Sequence, residues 1–249
     1  MKLIIGNKNY SSWSLRGWLM LAKNGLEFEV VQFPLFTKRF YEELSVISPA
    51  LKVPVLIDQI QDGLIKHGQI KSGSVKSVQK QSATRAKGQD TVIWDSLAIC
   101  EYINEQYLSG SAWPQIIQER AKARSIAAEM HSGFSALRNE MPMNCRAKRT
   151  LALSESALKD VARIDQIWSE QMSYNINKAD DGWLFGKWSI ADCMFAPVVF
   201  RFVTYGVKVS PLAEQYMQRA LASTEMQQWL ADALTETDIV EEDEAGIAL

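Results

Sequence analysis

Apolar and polar positions follow two different rhythms in this chain, and the change falls near residue 108. Before it, short apolar runs trade places with stretches of helical spacing. Leu3–Ile5 reads as a strand, and Ser14–Lys23 as a helix stopped by Asn24-Gly25. Phe28–Phe33 is β-branched and aromatic, which predicts a second strand. Lys38–Ile47 puts Phe40, Leu44 and Ile47 on one helical face. Val53–Ile57 and Val92–Trp94 read as two more strands, and Ser96–Tyr107 as a helix. The order β-α-β-α-β-β-α predicts an α/β domain with a parallel pair and, from its two adjacent strands, an antiparallel hairpin.

Residues 108–114, Leu-Ser-Gly-Ser-Ala-Trp-Pro, carry the Gly, Ser and Pro of a linker. Beyond them the spacing is helical throughout. Ala123, Ile126, Ala127, Met130, Phe134 and Leu137 form one stripe, and Leu158, Val161, Ile164, Ile167 and Trp168 another. Ile190–Val203 is apolar nearly all round, which predicts a buried central helix. Pro211 and Thr224 open two shorter helices. The expected architecture is therefore a thioredoxin-like α/β domain over residues 1–107, the linker 108–114, and an all-α domain over 115–240. Two segments stand outside this pattern. Residues 59–90 hold six Lys/Arg and no Phe, Tyr or Trp, and read as a basic, flexible, solvated insertion. Residues 241–249 open with Glu-Glu-Asp-Glu and read as a solvated, mobile tail.

Composition narrows the function. The chain has 249 residues, 47% hydrophobic and 22% charged, with a net charge of −2. That balance suits a soluble protein and offers no global attraction for nucleic acid or an acidic membrane. Cys100, Cys145 and Cys193 are scattered, and with two histidines they make a poor zinc set, so no metal is expected. Isolated thiols fit a reducing compartment. The apolar stretch after Met1-Lys2 is too short for an export signal, so a cytoplasmic location is expected.

Three local features carry candidate chemistry. Ser11, Ser12 and Ser14 crowd the handover from the first strand to the first helix. Helix N-termini expose N–H groups and partial positive charge, so a hydroxyl there caps the helix or helps hold an anion. Pro54 stands at the mouth of a strand, where the base rate favours a trans Val53–Pro54 bond. A cis bond would instead turn the Val53 backbone outward, ready to pair with an extended peptide. Asp95-Ser96 sits between strand and helix. Ser96 suits an N-cap or first-turn position facing a carboxylate, and Asp95 could accept an ammonium. Ser189 and Asp192 match a capping box for the buried helix.

Taken in order, Ser11-Ser12-Trp13-Ser14-Leu15-Arg16, Lys52-Val53-Pro54-Val55-Leu56, Trp94-Asp95-Ser96-Leu97-Ala98-Ile99 and Gly186-Lys187-Trp188-Ser189-Ile190-Ala191-Asp192 resemble the cytosolic glutathione transferases. The resemblance covers both domains apart from 59–90 and the tail. It implies glutathione as substrate, a small electrophile as partner and a homodimer. It implies that the Val53 backbone pairs with the cysteinyl part, that Asp95 and Ser96 hold the γ-glutamyl head, and that Lys52 reaches the glycyl carboxylate. The thiol would then lie at the serine turn. Similarity to the zeta-class Ser-Ser-Cys-Ser pattern places Ser11 as thiolate donor, Ser12 beside it and Ser14 as the cap. Trp13 replaces that pattern's cysteine and argues against maleylacetoacetate isomerase chemistry. The absence of cysteine at the turn disfavours thiol exchange. The leading expectation is a conjugating transferase. The alternatives are a glutathione-dependent isomerase or reductase, and a non-catalytic binding protein on the same scaffold. Arg124, His131 and Arg138 recur every seven residues, which predicts one helix face that, with Trp13, could hold an anionic co-substrate.

Overall fold

The structure, a computed structural model, describes residues 1–59, 90–175 and 181–249. The basic insertion lies outside the described residues apart from its ends, Gln59 and Asp90.

The first domain is built from β1 (Lys2–Ile5), α1 (Ser12–Lys23), β2 (Glu29–Gln32), α2 (Lys38–Ser45), β3 (Val55–Asp58), β4 (Thr91–Ile93) and α3 (Ser96–Gln106). The sheet order is β2-β1-β3-β4. β1 and β2 run parallel, with Leu3 opposite Val30; β1 with β3 and β3 with β4 are antiparallel. This is the thioredoxin-like arrangement that the alternating pattern predicts. One face of the sheet packs Ile4, Val55 and Phe33 against Phe40 and Leu44 of α2. The other packs Leu3, Ile5 and Leu56 against α1 and α3.

The second domain comprises α4 (Ile117–Ser132), α5 (Ser135–Glu140), β5 (Arg149–Thr150), α6 (Glu155–Asn175), α7 (Ile190–Thr204), α8 (Pro211–Leu221), α9 (Thr224–Thr235) and β6 (Ile247–Ala248). α7 is buried almost end to end, as its all-round apolar sequence predicts. Each fully buried Phe or Ile on it contributes about 1.5–3 kcal/mol. Its start cannot be left with bare N–H groups at that depth. The Ser189 hydroxyl and N–H both donate to Asp192 Oδ2, at 2.9 and 2.8 Å, and the capping box is complete. Leu184 N–H adds a third bond to Asp192, on Oδ1 at 3.1 Å.

Two expectations change. The stripe from Ala123 to Leu137 predicts one helix, but the chain breaks between α4 and α5. Gly133 is the C-cap and Phe134 takes a left-handed conformation, φ 60°. The Arg138 side chain folds back and donates to the Gly133, Met130 and His131 carbonyls, satisfying the end of α4. The tail is not free either. β6 pairs antiparallel with β5, and Glu241–Asp243 forms a 3₁₀ turn. Arg149 binds the Glu244 side chain and its carbonyl, so the last acid of the run is held against the body while Glu241 and Glu242 stay exposed.

Candidate active site

The site begins at the N-terminus of α1. The helix starts at Ser12, and Ser11 is its N-cap, accepting from Ser14 N–H at 3.4 Å. The Ser11 hydroxyl donates to Ser14 Oγ at 2.7 Å, and the buried Ser14 oxygen also accepts from Gly6 N–H at 3.0 Å. The cap is therefore Ser11, not Ser14, because the helix opens two residues earlier than its apolar pattern indicates. Ser12 is placed differently. Its oxygen accepts from Arg201 Nη2 at 3.2 Å, and among the described residues its proton has no acceptor.

Arg201 comes from α7 and is buried. It also donates to the Arg138 and Met141 carbonyls. Burial, reinforced by Arg138, lowers its pKa to about 10, so it stays charged at neutral pH. Arg16 is fully buried and is lowered to about 9, by burial and then by Arg138. Trp13 lies between two of these cations. The Arg16 guanidinium is 4.5 Å from its ring centroid and that of Arg138 4.7 Å. Each contact is worth about 0.5–2 kcal/mol, the upper end where water is excluded. The start of α1 is thus strongly electropositive.

The Val53–Pro54 bond is cis, against the trans expectation. Pro54 packs on α1 where only glycine fits closely: a Cβ on Gly17 would lie 3.1 Å from its ring. That approach sets the Val53 turn against the serine turn. Trp94–Asp95 is also cis. Asp95 is the N-cap of α3, with Oδ1 accepting from Leu97 and Ala98 N–H at 3.1 and 3.3 Å. Ser96 occupies the first turn, and its buried hydroxyl has no partner among the described residues. An orphaned buried hydroxyl at a helix N-terminus suits an arriving carboxylate.

These pieces line one open cleft of about 780 Å³: Ser11, Ser12 and Trp13; Lys52, Val53 and Pro54; Asp95 and Ser96; and, from the helical domain, Arg138 and Arg201. All the predicted glutathione residues converge there.

Comparison with known proteins agrees with this geometry. Residues 10–106 match the family model of the glutathione S-transferase N-terminal domain. A glutathione transferase homolog from Burkholderia BGR1, solved with bound glutathione, is 23% identical, with a TM-score of 0.60 over 94% of this chain and 98% of that one. A homolog from Lodderomyces elongisporus with two glutathiones per subunit gives 16% and 0.65, over 92% and 97%. Maleylacetoacetate isomerase from Anaeromyxobacter dehalogenans, with glutathione in its active site, gives 17% and 0.57, over 95% and 97%. No curated protein matches the chain. Residues 10–106 are thus a glutathione S-transferase N-terminal domain, and the chain as a whole shares the fold of these structures.

On this fold the expected Arg124–His131–Arg138 face does not exist as one surface. The break at Gly133 puts Arg138 on α5, where it lines the cleft beside Trp13. Arg124 instead pairs with Glu101 at 3.8 Å and lies over Trp113, away from the cleft lining. His131 packs edge-on to Trp13 and donates through Nε2 to Asp95 Oδ2 at 2.9 Å. It therefore links the helical domain to the very carboxylate expected to take an ammonium. Pro142 and Met143, after α5, also line the cleft.

Among the lining residues that escape the sequence reading are Tyr10, Arg201 and Asp243. A lone arginine in an apolar helix was a signal that could have exposed Arg201. Asp243 lies inside a run that composition alone reads as solvated.

Proposed function

We propose that this protein is a glutathione transferase in which the Ser12 hydroxyl at the head of α1 stabilises the glutathione thiolate for attack on small electrophiles. The observation that carries this reading is the convergence of Ser12, Val53, Pro54, Asp95 and Ser96 on one cleft. The bound glutathione of the Burkholderia and Lodderomyces homologs supports the choice of thiol.

Each residue takes a role set by its chemistry. The Val53 backbone pairs with the cysteinyl unit. The Ser96 hydroxyl and the N-terminus of α3 take the γ-glutamyl carboxylate, Asp95 takes the ammonium, and Lys52 the glycyl carboxylate. A free thiol titrates near 8.5, and each unit of depression requires about 1.4 kcal/mol favouring the anion. Arg201 polarises Ser12 by donating to its oxygen, which makes the hydroxyl a better donor to sulfur. The α1 N-terminus and the nearby cations act in the same direction. The thiol proton passes to water. The thiolate lone pair then forms the carbon–sulfur bond, and the leaving group departs with its electrons.

Ser12 rather than Ser11 is the donor in this reading, because the Ser11 proton is committed to Ser14. Titration calorimetry with glutathione, followed by turnover of a panel of aryl halides, enones and cis-alkenoic acids, tests the reading. Binding with aryl halide conjugation supports it. Absence of glutathione binding removes it together with the isomerase alternative. Binding without any turnover assigns the protein a binding role.

A further inference from the structure

One residue of the C-terminal segment, Asp243, forms part of the cleft wall. Val240 is buried, and Asp243 N–H donates to its carbonyl at 2.9 Å. Glu244 is held by Tyr10 OH at 2.5 Å, by Asn144 Nδ2 at 2.9 Å and by Arg149. Leu249 N–H reaches the Lys148 carbonyl at 3.0 Å beyond the β5–β6 pair. Anchored on both sides, the turn presents Asp243 to the same cleft as Arg138 and Arg201. Arg201 has no carboxylate partner within ion-pair distance among the described residues, so Asp243 is the anion that balances it across the cleft wall. Tyr205, the C-cap of α7, and Glu242 on the same turn also act on Asp243, and Lys52 lines the same cleft.

Resting on the glutathione transferase reading, we propose that Asp243 is a specificity-determining residue: it balances Arg201 on the co-substrate side and selects neutral electrophiles over carboxylate-bearing ones. A bare Arg138–Arg201 pair would attract anions. With a carboxylate fixed beside it, an anionic co-substrate meets repulsion that a neutral one does not. The consequence is that this cleft is set for conjugation of neutral compounds, and against isomerisation of unsaturated diacids.

Burial raises the Asp243 carboxyl to about 6, while Arg201 opposes the shift. Below that pH the carboxyl is neutral and Arg201 is left unbalanced, so selectivity against anions weakens as pH falls through 6.

The test uses two aryl chlorides of the same reaction type, 1-chloro-2,4-dinitrobenzene and 4-chloro-3,5-dinitrobenzoate, with the full chain. Their kcat/KM ratio cancels the thiolate fraction common to both. Asp243→Asn is expected to raise the anionic-to-neutral ratio about tenfold, equivalent to about 1.4 kcal/mol. Glu242→Gln removes the same charge from an exposed neighbour and is expected to leave the ratio within about twofold, as for a screened surface charge. In the unaltered protein the ratio is expected to rise as pH is lowered from 7 to 5.5, and this rise is absent in Asp243→Asn. Equal ratios in the two variants, or a pH rise that persists without Asp243, overturn the proposal. Where Asp243→Asn does not fold, the lack of any rise between pH 7 and 5.5 in the unaltered protein still overturns the proposal. Calorimetric binding of unreactive 3,5-dinitrobenzoate and 1,3-dinitrobenzene without glutathione separates the two readings. If the preference shifts in Asp243→Asn while glutathione fails to bind, the charge balance stands and the transferase reading falls.

Discussion

Ser11 and Ser12 are chemically identical neighbours with different obligations. Both line the cleft, but Ser11 is also the N-cap of α1 and donates to Ser14, while the Ser12 oxygen accepts from Arg201. Ser12→Ala is expected to lower kcat by about tenfold to a hundredfold, the loss of one hydrogen bond to an anion at about 1.5–3 kcal/mol. It is also expected to raise the pH at which bound glutathione becomes thiolate, read from the ultraviolet absorbance of the complex. Ser11→Ala is expected to cost about 1 kcal/mol of stability, as for an N-cap, in a thermal melt, with a smaller effect on kcat. The reverse pattern would return the donor role to Ser11. The motif reveals that a hydroxyl belongs at this turn. Which hydroxyl keeps its proton depends on Ser14 and on Arg201, which lies 189 residues away from Ser12. No local pattern carries that.

At the scale of elements, the capping box of α7 was legible because its partners are three residues apart, and the break after α4 was not. Apolar spacing runs through Gly133 undisturbed; what ends α4 is the left-handed Phe134 and the returning Arg138 side chain. Asp192 accepts two backbone N–H groups and one hydroxyl in a fully dry position. Asp192→Ala leaves those donors unpaired and is expected to cost about 2–4 kcal/mol, more than an exposed cap. Burial raises the Asp192 pKa to about 6 despite its hydrogen bonds. Its folded pKa exceeds the unfolded one, so between pH 4 and 6 the native state binds the extra proton. This group therefore adds stability as pH falls through 6 and withdraws it as pH rises. Asp192→Asn cannot titrate. The change in melting temperature between pH 7 and 5 is expected to be less favourable in that variant than in the parent, and equal changes would contradict the assignment.

The whole molecule is closed by a few contacts that reach across both domains. α1 packs on α7 and α9 as well as on its own sheet, His131 binds Asp95, and the 241–249 segment returns to Tyr10. The two-domain order was legible because each domain's period is local. The closure was not. Charge alone makes residues 241–244 look solvated, which holds for the exposed Glu241 and Glu242, and only the folded chain brings Arg149, Asn144 and Tyr10 to meet Glu244.

Trp13 has a consequence of an evolutionary kind. Its ring separates a guanidinium of the first domain from one of the second, so its identity constrains both. A single step to the cysteine of the zeta-like turn removes the ring that lies against both Arg16, which is buried, and Arg138, which lines the cleft. Trp13→Cys is expected to be more destabilising alone than in a background already carrying Arg138→Met. A melting-temperature double-mutant cycle should give a coupling of about 1 kcal/mol or more, as for contacting groups; additive effects would dissolve the link. The route from this serine turn to a cysteine-containing one therefore passes through position 138 first.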